Sequence, residues 1–489
     1  MDSSLSSPGQ PEPQLPAART LASVPGPRGL PLLGHLLQIR PQRFHLQLEQ
    51  WARQYGPLYR LQLKRQPLLV VGDHAVVAAL LRDRPEGFRR TRRLELIWRE
   101  MGLPAGLFGA EGEVWARQRR MVMAGFDPTH VRHYFPAMQQ VAERLARRWR
   151  RAAMAGTAID VQADLMRYTV DTIAGLAFGA EVNTLESDAD VIQRHLDKLF
   201  PMLLQRMLAP LPTWRWWPGA ADRALQASIV EIKAAVAGFV DSARTRLQAQ
   251  AARRERPANL LEAMIVAADQ PGSGIDDEQV AGNVLTMLLA GEDTTANTLA
   301  WLIHLLWRHP RALERATAEV RSLVGLATPI TQELLGQLDY LDACIQETMR
   351  LKPVAPMLPL QALRDGVVAG VQVPAGTLVI GLLRHDSVSD EHLPRAAAFE
   401  PERWLAPDDG AAAAAVHAPR RLAMPFGAGP RICPGRYLAL LEMKLAMAML
   451  LSRFAIETVD APGGGEAEER LAFTMTPVGL RLRLRPLTH

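Results

Sequence analysis

The chain has 489 residues, 48% hydrophobic and 22% charged, the balance of a globular protein with a large core rather than a disordered or fibrous one. A net charge of +5 without any long run of like charges gives no reason to expect nucleic-acid binding. Two cysteines, Cys344 and Cys433, exclude a disulfide framework and are too few for a cysteine-built zinc site, so each thiol needs its own explanation.

Residues 1–24 are rich in Ser, Pro, Gln and Ala, and too poor in apolar residues to offset the entropy of ordering. They are predicted to be disordered, with a single domain over residues 25–489. No apolar stretch reaches the length of a signal peptide core or a membrane span, so a soluble, cytoplasmic protein without a membrane anchor is expected. Pro25-Gly26-Pro27-Arg28-Gly29, with Pro31 behind it, predicts a stiff, irregular entry into the fold. Tyr59, Leu61 and Leu63 alternate with Arg60 and Gln62 as on a half-buried strand. A turn near residues 64–67 then leads into the apolar run Leu68 to Val71, which predicts a hairpin.

Helical periodicity dominates from about Ala116 to Leu351. The longest predicted helix is capped by Asp276, with Gln279 three residues on in a pattern close to a capping box, and Pro310 ends it. Short strands and turns follow, for example residues 367–373 and 377–383. Residues 408–415 read as a surface loop, 438–453 as a last helix and 480–484 as a closing strand. Periodicity thus predicts a large, mainly α protein with a smaller β region and no internal repeat.

The segment Phe426-Gly-Ala-Gly-Pro-Arg-Ile-Cys433-Pro-Gly435 carries the most chemistry. Gly427 and Gly429 permit a tight hairpin or close approach to a flat ligand. Arg431 sets a permanent charge, suited to a carboxylate, two residues before the thiol. A helix starting after Gly435 directs free N–H groups and partial positive charge at the sulfur, which favours thiolate over thiol. A lone cysteine in a glycine-rich loop is usually an ordinary small core residue, and Cys344, with no basic neighbour, reads that way. The loop around Cys433, however, resembles the cysteine loop of the cytochrome P450 family at Phe426, Gly429, Arg431, Cys433 and Gly435. That resemblance runs from about Pro25 to Pro486. It implies haem b, with Cys433 as the iron ligand, between the long helix and the helix after the loop. A thiolate ligand pushes electron density that assists O–O cleavage.

Further segments match the family in order. Glu347 and Arg350 form its E-x-x-R pair, and Pro401-Glu402-Arg403-Trp404 resembles the segment whose arginine joins that pair, which implies a structural lock. Trp115 and Arg119, spaced i, i+4, resemble the W-x-x-x-R element that reaches a haem propionate. Ala290-Gly291-Glu292-Asp293-Thr294-Thr295 resembles the family signature on the distal haem face. There Gly291 would leave room for dioxygen, Thr294 would accept and donate hydrogen bonds, and Asp293 would relay protons. A helical threonine more often only bonds back to a carbonyl. Many members place an Arg or His near Leu360 or Gln361 as a further propionate donor, and this sequence has neither. Either Trp115, Arg119 and Arg431 serve alone, or the loop is shifted.

The resemblance implies a monooxygenase acting on a lipophilic small molecule, with Leu289, Val354, Met357 and Phe473 among the pocket residues. No G-x-G-x-x-G follows a strand, so electrons are expected from a ferredoxin or flavodoxin with its reductase. The donor would dock on a basic rim of Arg117, Arg120, Arg436 and Lys444, and the protein is expected to be a monomer. Two other readings stay open: a peroxide-dependent haem-thiolate enzyme, and a haem sensor or carrier without turnover. Asp293 and Thr294 favour the monooxygenase over both.

Overall fold

The computed structural model describes residues 18–487 apart from 65, 127, 180–181, 187–194, 197, 210, 326–328 and 406–418. The loop expected at 408–415 lies outside the described residues, as do residues 1–17. The longer helices in chain order are α1 (Phe44–Tyr55), α2 (His74–Arg82), α3 (Arg92–Glu100), α4 (Gly112–Gly125), α5 (Pro128–Met154), α6 (Val161–Phe178) and α7 (Leu199–Leu208). They continue with α8 (Ala220–Ala249), α9 (Leu260–Ala268), α10 (Asp277–Arg308), α11 (Pro310–Leu323), α12 (Asp339–Leu351) and α13 (Arg436–Arg453).

α10 begins where its sequence indicates. The Asp276 carboxylate accepts the backbone N–H of Gln279 at 2.8 Å, although the return bond of a capping box is not made, since Gln279 Oε1 is buried without a partner. Pro310 starts the next helix instead of continuing this one. α10 is apolar nearly all round and lies along α6 at the centre of the principal core. Gly291 permits that close approach, because a Cβ there would sit 2.5 Å from Ile173 Cγ1.

The β region holds a five-stranded sheet in the order β1 (Leu58–Leu63), β2 (Gln66–Val71), β8 (Leu378–Leu382), β5 (Met357–Ala362) and β3 (Phe88–Arg90). Only the β2–β8 pair is parallel. The expected hairpin is β1–β2, turning at Lys64 with φ +55°. In the β3–β5 pair, Arg90 stands opposite Leu360 and Arg89 opposite Gln361.

Two smaller hairpins and a three-stranded sheet complete the β structure. They are β6 (Gly366–Val368) with β7 (Val371–Val373), β10 (Glu469–Leu471) with β11 (Met475–Pro477), and β4 (Ile159–Asp160), β12 (Arg481–Pro486) and β9 (Phe454–Asp460). Arg19 N–H bonds Gly370 O at 2.8 Å, and Val24 is buried against this region. Residues 18–24 therefore belong to the fold, contrary to the disorder expected up to residue 24. A backbone bridge to β7 and the apolar Leu21 and Val24 offset their ordering entropy.

Candidate active site

The cysteine loop is a tight turn closed by Cys433 N–H donating to Phe426 O at 3.0 Å. Gly429 has φ +70°, and a Cβ on it would lie 2.5 Å from Leu81 O and 2.7 Å from Arg82 Cα. Only glycine lets the loop sit against the last turn of α2. α13 starts directly behind the loop, at Arg436. Cys433 is an exposed residue, although its thiol is packed by protein on most sides. Burial pushes its thiol up, against the pull of the Gly435 and Arg436 N–H groups and the Arg119 guanidinium. A bound cation would reverse that balance. Cys344 is fully buried, with its thiol pushed up by burial, as expected of a structural residue.

Between its two ends, α10 is exposed at one residue. Ala290 is exposed although Leu289 and Glu292 beside it are each only 3% exposed. Thr294, one turn on, is half-buried and donates to Ala290 O at 2.6 Å, the ordinary back-bond of a helical threonine. Asp293 accepts from Asn297 Nδ2 at 2.7 Å and from the Thr474 hydroxyl, and burial pushes its carboxyl up. At Gly291 the missing side chain makes room for Ile173 of α6, which corrects the expectation that it leaves room for dioxygen.

An unusual group of cations lies between the loop and β3. Arg431 donates to Glu111 Oε2 at 2.6 Å and Ala110 O at 2.8 Å, and its guanidinium lies 4.6 Å over the Trp115 ring. Arg90 lies 3.6 Å over the Phe108 ring, while its backbone N–H donates to Glu111 Oε1 at 2.9 Å. Arg84 is buried beside them. Nε of Arg84, Arg90 and Arg431, and Nη2 of Arg84, are buried without partners. Burial, then the Arg431 charge, pushes Arg84 down to about 10. Burial, then Arg84 and Arg431, holds Arg90 well below the usual range. Among the described residues, the Trp115 indole N–H and the half-buried Arg119 guanidinium also make no hydrogen bond within the protein.

Three guanidinium groups thus share one carboxylate, a buried excess of positive charge that is costly unless an anion meets it. Haem, flat and carrying two propionates, fits this donor set, and it fits the exposed residues Cys433 and Ala290. Arg84, Arg90 and Glu111 were not singled out by sequence. The register that sets Arg90 opposite Leu360 puts a cation beside the position where the family's basic residue is missing.

Glu347, Arg350 and Arg403 come together as one largely buried ion-pair cluster. Glu347 and Arg350 are fully buried and paired at 2.6 and 2.7 Å. Arg350 also donates to Ala396 O, Ala398 O and Ser387 O, while Glu347 accepts from Trp404 Nε1 at 2.8 Å and Glu400 N–H at 3.0 Å. Arg403 joins this pair as an ion-pair partner, its Nε 3.5 Å from Glu347 Oε1, although that Nε makes no hydrogen bond. Its short contact, 2.6 Å, is to Glu400. Trp404 is the fourth partner that sequence reasoning missed.

Of the expected pocket residues, Leu289 is buried in the principal core, while Val354, Met357 and Phe473 keep partial exposure. Phe473 holds a left-handed backbone, φ +93°, and its ring stacks on Phe200 at 4.6 Å and meets Phe108 edge-on at 5.9 Å. Met475 N–H bonds Val354 O at 2.8 Å, so the two pocket turns are tied together. Of the proposed docking cations, Lys444 is paired with Asp342 at 3.0 Å and Arg117 lies 3.8 Å from Glu113. Arg120 and Arg436 are exposed and form no ion pair among the described residues.

Fold and site together define a haem-thiolate protein. The family model for Cytochrome P450 matches residues 24–484, and the chain belongs to the cytochrome P450 family, whose cofactor is haem b. It is 28% identical over 468 residues to a self-sufficient cytochrome P450 monooxygenase, CYP505E5, of Aspergillus niger, covering 94% of this chain and 43% of that protein. It is 29% identical over 491 residues to a bifunctional cytochrome P450/NADPH–P450 reductase of Aspergillus oryzae, covering 94% and 41%. The chain therefore spans less than half the length of these fungal relatives. Among solved structures, the heme domain of cytochrome P450DA superimposes with a TM-score of 0.82 at 27% identity, covering 96% of this chain and 99% of that one.

Proposed function

We propose that this protein is a haem-thiolate monooxygenase that inserts one oxygen atom from dioxygen into a lipophilic small molecule. The observation that carries the reading is an exposed Cys433 residue at the start of α13 together with an α10 whose mid-helix exposure falls at Ala290, one turn before Thr294 and beside Asp293. Haem b, held through the Cys433 sulfur, supplies the binding and reductive activation of dioxygen.

The chain's own residues do the rest. Trp115, Arg119, Arg431, Arg84 and Arg90 would hold the propionates. Thr294 can swing its hydroxyl away from Ala290 O and donate elsewhere. Asp293, its carboxyl raised by burial, is suited to hold a proton and pass it on once Thr474 releases it. The rings of Phe108, Phe200 and Phe473 form an apolar wall that excludes water and suits a lipophilic substrate. Electrons come from a ferredoxin- or flavodoxin-type donor with its reductase, docking near Arg120 and Arg436. The fungal relative named as a bifunctional cytochrome P450/NADPH–P450 reductase supports an NADPH-dependent reductase as the source of those electrons.

The test is a difference spectrum of the dithionite-reduced protein with and without carbon monoxide, followed by turnover of Thr294→Ala. A strongly red-shifted Soret band that Cys433→Ala abolishes is expected, together with peroxide release in place of product in Thr294→Ala. A band at the position of histidine-ligated haem, or unchanged product per electron in Thr294→Ala, overturns the reading. The Asp293–Thr294 pair favours a monooxygenase, whose reduction of dioxygen consumes two protons, over a peroxide-driven enzyme or a haem carrier, which draw none from solvent for that step.

A further inference from the structure

At the end of α2 opposite the one that meets the cysteine loop, three imidazoles surround one carboxylate. Oδ2 of Asp386 accepts the backbone N–H of His74 at 2.8 Å and lies 2.9 Å from His74 Nδ1 and 3.4 Å from His392 Nε2. Its other oxygen, Oδ1, lies 2.9 Å from His385 Nδ1. The His74 and His392 rings meet edge-on with centroids 5.3 Å apart. We propose that His74, His392 and Asp386 form a binding site for a divalent transition-metal cation, with zinc(II) the best match.

Geometry and donor chemistry support this. One ligand atom from each of the three residues lies within 4.8 Å of the others. Tetrahedral zinc with bonds of about 2.0–2.1 Å needs ligand atoms about 3.3 Å apart, so a small closure completes the set. Two neutral imidazoles and a carboxylate suit zinc and its transition-metal neighbours rather than magnesium or calcium, which prefer oxygen donors. The Asp386 side chain is 5% exposed, whereas those of His74 and His392 are 28% and 33% exposed. The cation would therefore be anchored from the protein side and reached from solvent, with a coordination position left for water.

The carboxylate is also oriented in advance. His385, bonded to Oδ1, and the His74 backbone N–H leave Oδ2 aimed between the other two rings, which is the supporting arrangement that metal-binding carboxylates and imidazoles need. Metal binding would replace the present hydrogen bond between His74 and Oδ2. The bound cation would clamp the first turn of α2 to the segment behind β8, and α2 carries Leu81 and Arg82 against Gly429 of the cysteine loop.

The test is equilibrium dialysis of the untagged, haem-loaded, chelator-treated protein against zinc chloride, with zinc counted per chain by mass spectrometry. About one zinc per chain is expected, with Tm rising as free zinc rises. His392→Ala and His74→Ala should lose that zinc while keeping their haem spectrum. His385→Ala should weaken binding roughly 10- to 100-fold as a lost orienting contact. His133→Ala, at an exposed position on α5, should leave it unchanged. Absence of stoichiometric zinc in the wild type, or zinc retained at the wild-type level in both His74→Ala and His392→Ala, overturns the proposal. Because His392 is partly exposed, its variant remains informative even if His74→Ala folds poorly.

Discussion

The Thr474 hydroxyl donates to Oδ2 of Asp293, tying the turn that carries Phe473 to the acid of the central helix. Asp293 is a buried carboxyl whose hydrogen bonds to Thr474 and Asn297 only partly offset its loss of hydration, so its protonation is favoured beyond the ordinary value of 3.8.

A raised carboxyl contributes stability that is complete below its unfolded value and is lost as pH rises through its folded value. Asp293→Asn, which cannot ionise, should therefore gain Tm relative to wild type as pH rises from about 3.8 through that raised range. Thr474→Val, which removes one bond that favours the ionised form, should enlarge the gap and carry its growth to higher pH, with the onset still near 3.8. A difference in Tm that stays flat with pH would contradict the assignment.

Arg90 should act with opposite signs on the haem-free and haem-loaded protein. Without an anion its buried, unpartnered Nε costs about 1–3 kcal/mol, so Arg90→Leu should stabilise the haem-free protein. With haem bound, the same change removes a charged donor worth about 1.5–3 kcal/mol and should speed haem loss to an acceptor globin by roughly tenfold or more. Equal effects on both forms would mean that Arg90 does not meet a propionate.

Gly291→Ala should destabilise the protein by about 1–3 kcal/mol through overpacking against Ile173. Ile173→Ala, which alone should cost about 2–5 kcal/mol, should cost less in the Gly291→Ala chain than in the wild type. The double-mutant cycle, read by denaturant unfolding of the haem-loaded protein, should give a coupling above about 0.5 kcal/mol. Additive effects would mean that Gly291 serves something other than the contact with α6.

Glu347→Gln leaves the Arg350 charge buried with only carbonyl partners and should cost about 3–5 kcal/mol. Arg403→Ala should cost much less, because Arg403 makes no hydrogen bond to Glu347 and its short contact is to Glu400. Unfolding midpoints of the two variants, measured side by side, check the order.

The parts of the site legible in the sequence are those whose residues are chain neighbours. The cysteine loop, the i, i+4 pair Trp115 and Arg119, the Asp276 cap and the Asp293–Thr294 pair are all local patterns, and a helix or a turn places them without help. The role of Gly291 was misread because a glycine shows only that a side chain is missing, not which neighbour fills the space. The short helices α1 to α3 went unread, since two or three turns give periodicity little length, although Asp73 and Thr91 do cap α2 and α3.

The sequence by itself determined a mainly α chain with a thiol poised at a helix start, because glycine conformation, capping and helical spacing act over a few residues. Only the tertiary structure decided which distant groups meet. Arg90 faces Leu360 through the register of β3 on β5, Thr474 bonds Asp293 through the turn before β11, and His74 reaches Asp386 across most of the chain. The physical reason is that strand register and packing are settled by burying whole faces together. No short stretch of chain carries the information to specify them.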